Sequence, residues 1–393
     1  MASPSSPPSS STSGHVADES APEFLLCACQ PGAESALRRR AAEMIPALQH
    51  AAWRPGVATF RQPPGQNLPT AAELVFARGV FHSLGQVRGD GDTALAAAAR
   101  TLAGERGFSR VHLWHRLAPP GRAEREAGRT EREAGRGRRE ADRARPEAIA
   151  GSRAAVVAAI GLDPAADPVA AVGDLVLDCI VDAPNRWWVG WHRAADRSSC
   201  WPGGIYPAAY LPLPEGTVSR AWLKLTEAID LFEIPFVRGQ RAVELGASPG
   251  GACQRLLAAG LDVVGVDPAL VDPRVGSLPR FTQWRMRARE VPLERFRGVD
   301  WLVVDMNIDP KSTLAAIERV ATARQGQLAG IVATLKIPDW SRAEELPAWL
   351  DAFRSWGFLP RARQLSSGGR EVCVVATRAG NFTARRTRRR PVA

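Results

Sequence analysis

The sequence predicts an α/β domain with a mainly parallel sheet, preceded by an α+β module. Three observations carry this reading. From Ala242 to Pro268 the chain runs AVELGASPGGACQRLLAAGLDVVGVDP, which reads as strand, glycine turn, helix and strand. Apolar runs at Asp300–Met306 (DWLVVDM) and Gly330–Ile337 (GIVATLKI) then alternate with helical stretches, the order that builds a parallel sheet. Before Ser219, short strands and helices succeed one another without that regular alternation.

Taken in order, residues 1–20 are a Ser/Pro-rich lead without the basic-then-apolar order of a signal peptide, so they predict disorder. The α+β module is assigned to residues 21–215. It opens on a strand at Phe24–Cys29 and an amphipathic helix at Glu34–Leu48, with a Pro/Gly-rich loop around Pro63–Pro69 after them. An apolar stretch in Glu73–Val87, a helix at Thr93–Leu102 and a strand at Arg110–His115 come next. Residues 121–147 differ in kind: EREAGR occurs twice, and Ala is almost the only apolar residue. They predict an exposed charged insertion that acts as a solvated spacer. An apolar helix at Ala154–Ile160 and strands at Leu175–Val181 and Arg186–Arg193 (RWWVGWHR) complete the module. The tryptophans of the last strand are expected to fill the core alternately, two of the three buried; tryptophan with Arg and His is also a set that stacks on bases.

The α/β domain is assigned to residues 216–380. Ser219–Leu231 predicts an amphipathic helix with Ser219 at its N-cap. Cys253–Ala259 is the helix after the glycine turn, stopped by Gly260, and Leu261–Val266 is a strand ending at Asp267. The segment from there to Phe296 reads as strand-poor. Helices are expected at Ser312–Arg324 and Ala343–Trp356. Strands at Arg363–Leu365 and Glu371–Thr377 flank a hairpin turn around SSGG, so the last strand should run antiparallel. Residues 381–393 form a basic tail.

The net charge is +10, and much of it sits on appendages: Gly121–Arg145 holds nine Arg against six acids, and Arg385–Arg390 adds five Arg. That distribution points to a polyanionic partner, most simply RNA. No apolar run approaches a membrane span, so neither a membrane partner nor an export route is expected, and the protein reads as cytoplasmic. The six cysteines lack a C-x-x-C pair and are expected as reduced thiols rather than as a metal site. A monomer is the simplest expectation.

A glycine turn that opens a helix offers free N–H groups to a ligand, and an acid closing the next strand can hold a ribose. The spacing G-x-S-P-G-G is neither the dinucleotide pattern nor a phosphate loop, which carries a lysine. That shifts the reading from NAD or ATP towards S-adenosylmethionine, with Gly246, Gly250 and Gly251 letting the backbone come close to it and Asp267 placed to hold its ribose. Of the 51 basic residues only three are Lys: Lys224, Lys311 and Lys336. Arg cannot release a proton at useful pH, whereas Lys can. Asp305 and Lys336 close two strands, and Glu371 opens an antiparallel one, so all three should meet on the rim that carries the cofactor turn; Lys224 arrives on the preceding helix. Two lysines and two acids there suit removal of a proton from a ribose hydroxyl, given a lysine whose pKa is lowered by a neighbouring cation or by desolvation.

With these residues in view, SRAWLKL, ELGASPGG, VVDMN, TLKIP and REVCVV together resemble the FtsJ/RrmJ-like ribose 2′-O-methyltransferases, whose signature Lys-Asp-Lys-Glu matches Lys224, Asp305, Lys336 and Glu371. The likeness covers Ser219–Thr377 and is greatest to the branch that methylates a cytidine ribose of 23S rRNA. It implies a Rossmann-like class I methyltransferase domain with a seven-stranded sheet, Lys336 as proton acceptor, and cofactor contacts at Ser219, Ser248–Gly251, Asp267 and Asp305. LVFARGVF and GDLVLDCIVDAPNRWWVGWHR resemble more loosely the THUMP-containing, RNA-binding region of that branch. The sequence departs from it in two places. A further acidic cofactor contact has only Glu290 as a candidate, and the 121–147 insertion is not expected. An RNA-binding assembly factor with a vestigial methyltransferase fold is the alternative from another class. Base methylation is disfavoured, because DMNIDP lacks the Pro-Pro-aromatic loop such chemistry uses.

Overall fold

The computed structural model describes residues 23–116, 146–163, 167–210, 213–324 and 326–378. The expected lead at 1–20, residues 121–145 of the insertion and the tail at 381–393 lie outside the described residues. Within them the chain builds two seven-stranded sheets.

The first sheet begins with β1 (Glu23–Cys29), and helix α1 (Glu34–Met44) comes after it. The helix stops four residues short of the expected Leu48, because Ile45 precedes Pro46 and a residue before proline is driven out of the helical region. The next two strands, β2 (Gln49–Arg54) and β3 (Val57–Gln62), form a hairpin that the sequence did not announce, turning at Pro55 and Gly56. Gly56 sits at φ +89°, and a Cβ there would lie 2.4 Å from the carbonyl oxygen of Arg116. The short helix α2 (Ala71–Leu74), capped by Thr70 with Glu73 reaching back, leads into the long β4 (Ala77–Arg88). Alanine-rich α3 (Asp92–Ala103), β5 (Arg110–His115), α4 (Pro146–Ala159), β6 (Leu175–Ala183) and β7 (Arg186–Arg193) complete it. The strand order is β2-β3-β1-β4-β7-β6-β5, antiparallel except for the β5–β6 pair.

The Trp-rich strand β7 departs from alternate core filling. Trp187 and Trp188 are adjacent and both buried, because an apolar cluster packs on each face of the sheet at that point. Trp187 packs with the α3 and α4 cluster, whereas Trp188 joins Leu26, Phe81 and Trp114 on the opposite face. Trp191 is only partly buried and stacks on His82, ring centres 4.4 Å apart.

The second sheet comes after α5 (Ala221–Phe232). It contains β8 (Arg241–Leu245), α6 (Gly251–Ala258), β9 (Asp262–Val266), the single turn α7 (Pro273–Gly276), β10 (Phe281–Trp284) and β11 (Trp301–Val304). Then come α8 (Pro310–Ala323), β12 (Gly330–Lys336), α9 (Leu346–Ser355), β13 (Leu359–Arg363) and β14 (Glu371–Thr377). Three differences from expectation stand out. The segment before Phe296 contains a strand, β10, which pairs in parallel with β9. The helix expected from Ala343 starts as a 3-10 turn at Trp340–Glu345 and is α-helical only from Leu346. The hairpin's first strand ends at Arg363 instead of starting there.

The order β10-β9-β8-β11-β12-β14-β13 is parallel up to β12, and β14 runs antiparallel between β12 and β13. This is a Rossmann-like methyltransferase fold. Strand order switches at β8, with β9 and β10 added on one side and β11 and β12 on the other, which opens a crevice at the carboxyl ends of β8 and β11, where such sheets take ligands. Buried Val, Leu and Ile of the strands form the core on both faces. All six cysteines are buried free thiols. No helix of the described residues is long and apolar enough to cross a membrane.

Candidate active site

Four side chains meet at the crevice. Asp305 comes directly after β11, Lys336 ends β12, and Glu371 begins β14; the register pairs Lys336 directly with Glu371. Lys224 comes from the first turn of α5. Lys224 Nζ lies 2.5 Å from Asp305 Oδ2 and 3.3 Å from Glu371 Oε1. Lys336 Nζ lies 3.1 Å from Asp305 Oδ1 and 2.5 Å from Glu371 Oε2. Each lysine therefore touches both acids, and each acid uses a separate oxygen for each lysine. The square is neutral in sum and largely shielded: the side chains of Lys224, Asp305 and Glu371 are 17%, 16% and 10% exposed, while Lys336 is the most open at 21%.

Burial works against the charge of Lys224, but Glu371 and Asp305 outweigh it and hold its pKa well above the usual lysine value. At Lys224 the two carboxylates therefore matter more than burial. Burial likewise opposes the charge of Asp305, and Lys224 and Lys336 outweigh it, so its pKa is lowered.

The glycine turn abuts this square. Gly246 has φ +88°, and a Cβ there would sit 2.7 Å from the carbonyl oxygen of Asp305. The peptide Ser248–Pro249 is cis. Gly250, at φ +115°, is the N-cap of α6. A Cβ on Gly251 would come 2.2 Å from Ser219 Oγ, so only glycine allows α5 and α6 to approach this closely. Ser219 is not the N-cap of α5, a position Arg220 occupies without a side-chain cap. Its buried Oγ has no protein partner, which leaves it available to a ligand. Asp267 stands at the end of β9, accepting from Ser248 N at 3.1 Å and Ala269 N at 2.8 Å. Glu290 accepts from Arg287 N at 3.0 Å and caps its own turn after β10.

Residues 217–335 match the FtsJ-like methyltransferase family. Within that FtsJ-like segment lie Lys224, the glycine turn, Asp267 and Asp305; Lys336 and Glu371 lie beyond it. Two similar curated relatives are named Ribosomal RNA large subunit methyltransferase M. The one from Halorhodospira halophila is 34% identical over 45% of this chain and 51% of its own length. The one from Xylella fastidiosa strain 9a5c is 33% identical over 48% and 54% respectively. The chain thus spans about half the length of the relatives it matches. Among solved structures, TrmN from Thermus thermophilus aligns over 90% of this chain and 99% of its own, at 16% identity and a TM-score of 0.31.

One residue of this site escaped the sequence reading. Glu244 lies in β8 beneath the glycine turn, fully buried, with Oε2 unpartnered. Burial lifts its carboxyl to about 8, against a lowering contribution from the Cys253 thiol. The available signal was an acid inside the apolar run AVELG.

Proposed function

We propose that this chain is an S-adenosylmethionine-dependent RNA methyltransferase acting on a ribose 2′-hydroxyl, with a cytidine of 23S rRNA as its target. The square of Lys224, Asp305, Lys336 and Glu371 beside the glycine turn is the observation that carries the proposal. The residues at the turn fit the cofactor: a glycine cradle at Gly246, Gly250 and Gly251, the unpartnered hydroxyl of Ser219, and Asp267 at the end of the adjacent strand. Ser248 and Pro249 shape the turn, and Asp305 joins it to the reacting side. When bound, S-adenosylmethionine supplies a methyl group on a sulfonium, an electrophile.

The protein's own part is placement and proton removal. A ribose hydroxyl becomes a competent nucleophile only as its proton leaves. Lys336, the most open member of the square, enters the step as the free amine and accepts that proton on Nζ as the oxygen forms its new bond. Asp305 and Glu371 aim Nζ from two sides. Lys224, fixed as a cation, keeps Asp305 ionised and stays out of the proton transfer. The match to relatives named for large-subunit rRNA supports the choice of RNA.

The test is methyl transfer to an unmodified 23S rRNA transcript, with the product mapped for ribose methylation. The expected result is one 2′-O-methylated cytidine. Lys336→Ala should lose at least about 100-fold in rate while keeping its cofactor affinity. Methylation of a base, or near-normal transfer by that variant, would sink the assignment.

A further inference from the structure

The first sheet has two unlike faces. Helices α1, α3 and α4 cover the face carrying Leu25, Cys27 and Val189. The other face has only the small cluster of Leu26, Phe81, Trp114, Trp188 and three neighbours, and no helix of eight or more residues among the described ones packs on it. On that side a depression of about 420 Å³ opens, floored by Leu26 and Trp188 and edged by Ala52, Arg54, Thr59 and Gln86. The volume is in the range of small-molecule pockets, about 300–1,000 Å³. Two irregularities border it: the register slips between His50 and Ala52 in β2, and between Ser83 and Gly85 in β4. Bulges of this kind bend strands and re-aim side chains around binding sites.

The charge on this face is one-sided. Antiparallel partners share a face, so the pairs Arg54 with Val57, Phe24 with Arg61, and Arg88 with Arg186 place four Arg on the side of Leu26 and Trp188. Asp182 is occupied by Arg116 and Arg186 together. Phe24 is 42% exposed beside Arg61, whose guanidinium lies over its ring. The indole Nε1 of Trp188 has no acceptor in the protein. An open sheet face with an apolar floor, a polar rim and an excess of guanidinium groups matches the chemistry of unstacked bases on a sugar–phosphate strand. A duplex keeps its bases stacked inside and could not fill the depression.

We infer that this face binds a single-stranded stretch of the RNA substrate, with one unstacked nucleobase seated over Leu26 and Trp188. The inference rests on the proposed action on RNA and adds where, and in what form, that RNA is held. Arg54, Arg61 and Arg88 hold phosphates, and Thr59 and Gln86 meet the polar edge of the base.

The experiment uses the full chain, fluorescein-labelled oligouridine as the single-stranded probe, and a duplex RNA as competitor. Ala52→Trp fills the depression from an exposed edge strand, and Arg54→Glu reverses a phosphate contact. Each should weaken oligouridine binding at least about fivefold, the scale of one lost base stack or phosphate contact. Thermal stability and cofactor affinity should be unchanged, and duplex should compete poorly. Wild-type affinity in both variants, in an enzyme that still methylates the 23S rRNA transcript, would overturn this inference alone. Duplex competing as well as single strand would also overturn it. A wild-type protein that neither binds nor methylates RNA would overturn the functional proposal with it.

Discussion

Glu244 is an acid in a strand of otherwise apolar residues, and its burial has a pH consequence. Its carboxyl titrates near 8 in the folded chain and near 4.5 when unfolded. Between those values the folded state binds one more proton, so stability falls as pH rises from about 4.5 to about 8 and levels off above that. Glu244→Gln removes that slope. Thermal melts of the two proteins should therefore diverge with rising pH, the variant gaining on wild type by a few kcal/mol, at about 1.4 kcal/mol per pH unit. Parallel melting curves across pH 5–8 would show the carboxyl to be ionised in place. The neighbouring square was legible because the sequence spends Lys so rarely: two of its three Lys fall at positions that the strand order brings together. The protonation of Lys224 was not legible. It depends on 2.5 and 3.3 Å approaches to two carboxylates, which a sequence cannot supply.

At the scale of elements, the contact between α5 and α6 shows how closely folding and ligand binding are joined. Ser219 Oγ faces Gly251 with no hydrogen bond of its own. Ser219→Ala removes no protein hydrogen bond, so the melting temperature should hold or rise slightly while cofactor affinity drops. Gly251→Ala forces a Cβ against Ser219 Oγ at 2.2 Å and Ser219 O at 2.8 Å, so it should lower both stability and cofactor affinity. Calorimetric titration with S-adenosylmethionine, beside thermal melts, separates the two cases. Equal losses of stability in both variants would mean that the serine is structural. Elements with long apolar runs, such as β8, β11 and β12, were legible because burial on both faces leaves a continuous signal. The β2 strand QHAAWR was not, being almost wholly exposed along one edge, and β10 was not, being only partly buried where the equally short β11 is buried throughout. Trp187 and Trp188 misled because alternation presumes one wet face, and here an apolar cluster packs on each face.

Across the whole molecule, the two sheets are joined by buried polar groups from the end of β13 and the loop that links it to β14. Arg363 is 4% exposed, and its guanidinium donates to the carbonyl oxygens of Ala77 and Arg78 in β4 and reaches Ser198 Oγ. Burial lowers its pKa, opposed by Asp196 and Glu227. Gln364 N donates to Val75 O at 3.0 Å, and Tyr206 N to Ser366 Oγ at 2.9 Å. Glu227 of α5, fully buried, accepts from the backbone and hydroxyl groups of Ser366 and Ser367 at 2.5–2.8 Å. One loop thus fastens the first sheet to the helix that carries Lys224. An RNA held on the first sheet is then presented to the square at a fixed offset, which is what selecting one ribose among many requires. Arg363→Ala strips the carbonyl groups of Ala77 and Arg78 of a buried charged donor and should cost about 3 kcal/mol. It also loosens the tie between the sheets, so unfolding monitored by fluorescence should split into two transitions where wild type shows one. Methylation should become less site-selective, with oligouridine affinity retained. A single transition of unchanged midpoint, with the same methylation pattern, would mean that the apolar contacts between the sheets hold them without Arg363.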